Sequence, residues 1–104
     1  NKRGGVVKIT YKNRSIEKVC TIASVAEKKY SREMAEKIQM RIDQIGAADT
    51  IEDLVKYRIG RCHFLKGDRK GQYAMDLVHP YRLIFVKTGE EIQIANVMEI
   101  VDYH

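Results

Sequence analysis

The chain has 104 residues, 44% of them hydrophobic and 32% charged, with a single proline. That composition excludes a disordered chain, and no apolar run approaches the roughly 20 residues of a membrane helix. The length points to one domain over residues 1–104 with one modest core, and the net charge of +5 makes a polyanion the first partner to consider.

The charge is uneven. Residues 1–14 carry five cations and no anion, so residues 1–5 read as a flexible basic tail. Residues 58–82 set Arg58, Arg61, Lys66, Arg69, Lys70 and Arg82 against only Asp68 and Asp76. Cys20 and Cys62 are far apart and match no metal or redox spacing, which fits a reducing cytoplasm. No basic, apolar leader opens the chain, so export is not expected.

Residues 6–11 (VVKITY) are rich in β-branched side chains and predict a first strand. Asn13 and Ser15 offer cap oxygens for a helix whose apolar face is Ile16, Val19, Cys20, Ala23, Ala26 and Tyr30. Ser31 caps a second helix with the stripe Met34, Ile38, Ile42 and Ile45, and Gly46 is a natural left-handed stop. The short joint at Tyr30-Ser31 makes the two a helical hairpin. Asp49 to Glu52 has capping-box spacing and opens a short helical turn ending near Tyr57.

From Gly60 the period becomes strand-like, with strands expected over 60–65, 72–78, 82–88 and 92–102. Their connections are short, so they should form an antiparallel meander. Tyr73, Met75 and Leu77 share one face, and Leu83 and Phe85 oppose Arg82, Ile84 and Val86. The expected class is therefore α+β, an N-terminal strand and helical hairpin packed on a curved, mainly antiparallel sheet. In an unbroken last strand Asp102 and His104 share a face and Tyr103 points away; a bulge would bring Tyr103 in.

A histidine, an Asp-His end and several fixed cations suit RNA cleavage by the neighbouring 2′-hydroxyl. That reaction moves two protons and builds negative charge on a phosphorane. Histidine, with an unperturbed pKa of about 6.5, suits the proton steps, and the arginine fork suits the phosphate. His63, Arg82, Asp102 and His104 are the candidates, with Tyr81 and Tyr103 available to stack on unpaired bases. His79, beside Pro80, reads as a turn residue. Cys62 and His63, as neighbours on a strand, face opposite ways and cannot form a nucleophile pair. No ligand spacing for a metal is recognisable. A solvated basic hairpin remains the plainer alternative.

The stretch HFLKGDRKGQYAMDLVHPYRLIF (residues 63–85) and the closing EIVDYH (99–104) resemble the HigB-type toxins of the RelE/ParE superfamily. The resembling positions are His63, Leu65, Lys66, Gly67, Asp68 and Arg69, then Tyr81-Arg82, then Asp102, Tyr103 and His104. Phe64 stands where that family often has Pro. The resemblance implies a RelE-like fold and the toxin of a type II toxin–antitoxin system, a plasmid-maintenance killer protein. Such a toxin enters the ribosomal A site and cuts translated mRNA without a metal or other cofactor, inhibiting translation. It further implies a cognate helix-turn-helix (HigA-like) antitoxin, through which the complex meets DNA, and no membrane. His63, Arg82, Asp102, Tyr103 and His104 would form the catalytic set, and Lys66, Arg69, Lys70 and Tyr81 would contact RNA. The alternatives are a ParE-like gyrase inhibitor without enzymatic activity and a plain nucleic-acid-binding module.

Overall fold

The computed structural model describes residues 6–103; the expected tail (1–5) and His104 lie outside the described residues. One five-stranded sheet has the order β1-β5-β4-β3-β2. Its strands are β1 (Lys8–Tyr11), β2 (His63–Phe64), β3 (Gln72–Asp76), β4 (Tyr81–Thr88) and β5 (Ile94–Asp102). The last four form the expected antiparallel meander. β1 joins the edge parallel to β5, with Lys8 opposite Ile94 and Tyr11 opposite Val97. A parallel pair needs a long crossover, and the four helices lie within it.

The first expected helix is two. α1 (Arg14–Thr21) starts at Asn13, whose Oδ1 accepts from the Ile16 N–H at 3.0 Å. It breaks at Ile22 (φ −119°, ψ 105°) before α2 (Ala23–Lys29). Two β-branched residues meet there, and the Thr21 hydroxyl donates back to the Glu17 carbonyl, a side-chain bond that bends helices.

α3 (Arg32–Ala47) is capped by Ser31, which accepts from the Met34 N–H, and buries Met34, Ala35, Ile38, Ile42 and Ile45. It runs through Gly46, contrary to the expected stop, because the chain turns extended only at Ala48 (φ −75°, ψ 148°). A Cβ at Gly46 would meet the Ile9 side chain of β1 at 3.6 Å, an ordinary contact, so neither packing nor backbone requires glycine there.

α4 (Ile51–Lys56) is capped by Thr50 rather than Asp49, with the hydroxyl accepting from the Asp53 N–H. Its first turn is tied to the sheet. The Ile51 N–H donates to Gln93, Gln93 donates to Glu52, and Lys87 Nζ donates to Glu52 Oε2 at 2.5 Å. The bonds from Lys87 and then Gln93 hold the Glu52 carboxyl down at about 2.

The strand expected over 60–65 is only two residues long. Ile59–Arg61 is a 3-10 turn, because Arg58, Gly60 and Arg61 are left-handed (φ 54°, 59° and 56°) and cannot continue a pleat.

All four helices pack on one sheet face. Val7, Val19, Cys20, Ala26, Ile38, Ile45, Leu54, Met75, Leu83, Phe85 and Val97 belong to that core. Tyr73 stacks on Phe85 at 5.2 Å, and Phe64 meets Tyr73 edge-on. Each fully buried large side chain is worth about 1.5–3 kcal/mol. The faces of β3 and β4 fall as the alternation predicts, with Ala74 and Ile84 buried outside the core cluster, on the other face.

β5 carries the bulge that decides the site. Ile84 pairs with Glu99 while Phe85 pairs with Val97, leaving Met98 as the extra residue. Before it Ala95 and Val97 face the core; after it Ile100 does, opposite Leu83. Glu99, Val101 and Tyr103 therefore fall on the helix-free face with Arg82.

Candidate active site

The helix-free face carries most of the candidate chemistry. Arg58, Arg61, His63 and Arg82 line a cleft of about 390 Å³, with Val55 and Cys62. Three chain segments supply them: the turn after α4, the start of β2 and the start of β4.

Arg58 stands one residue past the helix cap Tyr57, where a left-handed residue closes a helix and glycine is usual. A non-glycine residue there costs roughly 1–2 kcal/mol, so two arginines held left-handed point to a functional constraint. Gly60, between them, has a second duty. A Cβ on it would lie 2.7 Å from Arg41 Nε, because the Arg41 side chain runs beneath this turn. Arg41 Nε donates to the Asp76 carbonyl at 2.6 Å and Nη1 donates to Gln44. Burial pulls the Arg41 guanidinium below its ordinary pKa, partly offset by Asp76.

The Asp76 carboxylate lies between two of the cleft arginines. Oδ2 is 2.9 Å from Arg61 Nε and Oδ1 is 3.4 Å from Arg82 Nε. Oδ1 is buried and accepts no hydrogen bond, so the Arg82 contact is an ion pair without hydrogen-bond geometry. Tyr103 takes Arg82 from the other side, with the guanidinium carbon 4.6 Å from the ring centroid. The Tyr103 N–H donates to the Pro80 carbonyl, which fastens the chain end beside Arg82.

The His63 ring lies exposed at the cleft, its Nδ1 2.9 Å from the Arg61 carbonyl oxygen. A carbonyl only accepts, so Nδ1 carries the proton of this bond and, in the neutral ring, Nε2 holds the lone pair. Cys62, next to it, is buried and its thiol is pushed up to about 12 by desolvation, so it is no nucleophile at neutral pH.

Among the residues expected at the site, His63, Arg82 and Tyr103 come together. Asp102 is exposed and pairs opposite Tyr81, on the face turned toward the helices. Tyr81 itself is half-buried, edge-on to Tyr30 at 5.2 Å. Arg69 is on the Arg82 face but is engaged by Glu99 and Gln72, each at 2.9 Å. Lys66 and Lys70 are exposed on the β2–β3 connection and form no salt bridge among the described residues. His104 lies outside the described residues. Among those residues no three His, Cys, Asp or Glu side chains group so as to hold a metal ion.

Sequence reasoning weighed Arg58 and Arg61 only as charge and did not single out Asp76. The available signal was R-x-x-R ending two residues before His63, on a stretch whose one glycine hinted at a turn.

The sequence matches no protein-family model and no curated protein. Solved structures do match. A YoeB/ParE toxin from Agrobacterium tumefaciens aligns with TM-score 0.63 and 18% identity over 94% of this chain and all of that one. The toxin fold is the one this chain adopts. A YoeB–YefM complex from Staphylococcus aureus aligns with TM-score 0.60 and 19% identity, covering 94% of this chain and 97% of its counterpart. A YoeB dimer from the same organism gives 0.61 and 19%, covering 95% and 98%. At 18–19% identity these likenesses show the fold alone.

Proposed function

We propose that the chain is a single-domain, HigB-like toxin of a type II toxin–antitoxin system that cleaves mRNA on the ribosome. One observation supports this above the others: His63 shares a cleft with three arginines where the turn after α4 meets the starts of β2 and β4. A general base beside several phosphate-binding forks is what 2′-hydroxyl attack on a phosphodiester requires.

In this reading His63 Nε2 takes the 2′-hydroxyl proton, since Nδ1 is committed to the Arg61 carbonyl. Arg82 and Arg58 hold the non-bridging phosphate oxygens and stabilise the charge that builds as the phosphorane forms. Tyr103 keeps Arg82 in plane and offers its exposed edge to a base. The proton for the departing 5′-oxygen is assigned to His104. Lys66, Lys70 and Arg69 extend the phosphate track, Arg69 by exchanging Glu99 for RNA. No cofactor enters the steps.

The proposed partners are the ribosomal A site with its mRNA and a HigA-like helix-turn-helix antitoxin. The antitoxin carries the pair to DNA, and the proposed compartment is the cytoplasm. A gyrase inhibitor acting only by binding would have no use for a base aimed into an arginine cleft. The test is expression of the chain alone and with its genomic neighbour, followed by mapping of mRNA 5′ ends. New ends inside translated frames, suppressed by the neighbour, are expected. Accumulating DNA breaks with intact mRNA would contradict the proposal.

A further inference from the structure

Asp76 is an acidic group beside the cleft, between two of its three arginines. It stands opposite Arg82 in the β3–β4 ladder, and its carboxylate reaches Arg61 and Arg82 together. In both ion pairs the nearest approach is through Nε, the inner edge of the guanidinium. A planar fork held by that edge leaves the outer end of the guanidinium, with N–H bonds of both terminal nitrogens, free for a second anion. We propose that Asp76 is a positioning residue, fixing Arg61 and Arg82 as a paired fork for one RNA phosphate.

The surroundings support positioning over competition. Two guanidinia, with Arg58 as a third, repel one another and would spread into solvent without a carboxylate between them. Asp76 is itself fixed, since its carbonyl accepts from Arg41 of α3, the side chain on which Gly60 rests. One chain of contacts thus sets the left-handed turn, the end of β3 and both arginines. The buried Oδ1 accepts no hydrogen bond, so the guanidinia offset its charge. Were Asp76 a plug that phosphate displaces, removing its charge would strengthen RNA binding. A positioning carboxylate has the opposite effect on the reaction.

The inference deepens the RNA-cleaving reading and rests on it for the nature of the anion. The test uses the full chain with Asp76→Asn, nearly isosteric, and Asp76→Glu, which keeps the charge. Two readouts are taken: kcat and KM on programmed ribosomes, and the Nε–H resonances of Arg61 and Arg82 with and without a 2′-O-methyl oligoribonucleotide. Asp76→Asn should lower kcat by about 10–100-fold with KM within about threefold, the mark of misplaced rather than missing groups. Its two Nε–H signals should collapse toward those of free arginine, and Asp76→Glu should restore both signals and part of kcat. Should the Asn variant not fold, the Glu variant still decides through its retained resonances. Unchanged or faster cleavage in Asp76→Asn, tighter oligonucleotide binding, or unmoved resonances would overturn the proposal. If no form cleaves RNA but the resonances respond as stated, the positioning role stands and the RNA-cleaving reading falls.

Discussion

Replacing Arg58 by glycine should make the protein no less stable and its cleft weaker. Arg58 sits at φ 54°, two residues beyond the end of α4, and forms no salt bridge among the described residues. Releasing a non-glycine residue from the left-handed region returns roughly 1–2 kcal/mol. The added freedom of glycine in the unfolded chain costs about 0.4–1 kcal/mol in return. The balance is a gain of about 0–1.6 kcal/mol, which for a domain of this size raises the melting midpoint by up to about 13 °C. The guanidinium lost from the cleft removes one charge-assisted phosphate contact, worth about 1.5–3 kcal/mol, or roughly a 10- to 150-fold loss of oligonucleotide affinity. Thermal melting and fluorescence anisotropy with a 2′-O-methyl oligonucleotide read the two effects separately. A lower melting point with unchanged affinity would refute the reasoning, for it would make Arg58 a structural residue with no anion to hold.

Arg82→Lys keeps the charge and loses the planar fork, so cleavage should fall by about 10²–10³-fold. The partly exposed ion pair and ring contact are together worth only about 1–2 kcal/mol of stability, so the variant should remain folded. Loss of activity no greater than the loss of folded protein would contradict that role. Gly60→Ala sets a Cβ against the Arg41 guanidinium in a left-handed backbone, so it should cost about 2–4 kcal/mol in denaturant unfolding and reduce cleavage with it. An Ala variant as stable as the parent would show that the turn is not braced on Arg41. The Glu52 carboxyl is depressed by its bonds to Lys87 and Gln93, so its contribution is complete above about pH 4.5 and fades as pH falls toward about 2. With the Glu52 side chain 57% exposed, solvent screening limits that contribution to about 1 kcal/mol. Stability of Glu52→Gln should therefore trail the parent at neutral pH and converge with it in acid; a gap that widens in acid would reverse the sign.

Local signals carried the reading furthest. Ser31 and Asn13 cap where their side chains allow, and the alternation in β3 and β4 assigns both faces, because these depend on neighbours in the chain. What failed depends on contacts made across the fold. Nothing in residues 6–11 says that they pair parallel to β5, and nothing local says that α3 runs through Gly46 to Ala47. The site divides the same way. His63 and Arg82 stand out by type, whereas Arg58 and Arg61 read as solvated charges. Their left-handed backbone, the feature that makes them part of a cleft, belies their ordinary propensity. The bulge at Met98 likewise turned the chain end over, putting Tyr103 with Arg82 and Asp102 across from Tyr81.

The central claim is that the arginine–histidine cleft cuts RNA. Purified protein, free of any partner, should be added to ribosomes programmed with a defined mRNA, and the fragment ends analysed for chemistry as well as position. Cleavage within the A-site codon that leaves a 2′,3′-cyclic phosphate, and that is lost in His63→Ala and Arg82→Lys variants that melt like the parent, is the predicted result. Intact mRNA with the parent protein, or cutting that persists in both variants, would contradict it.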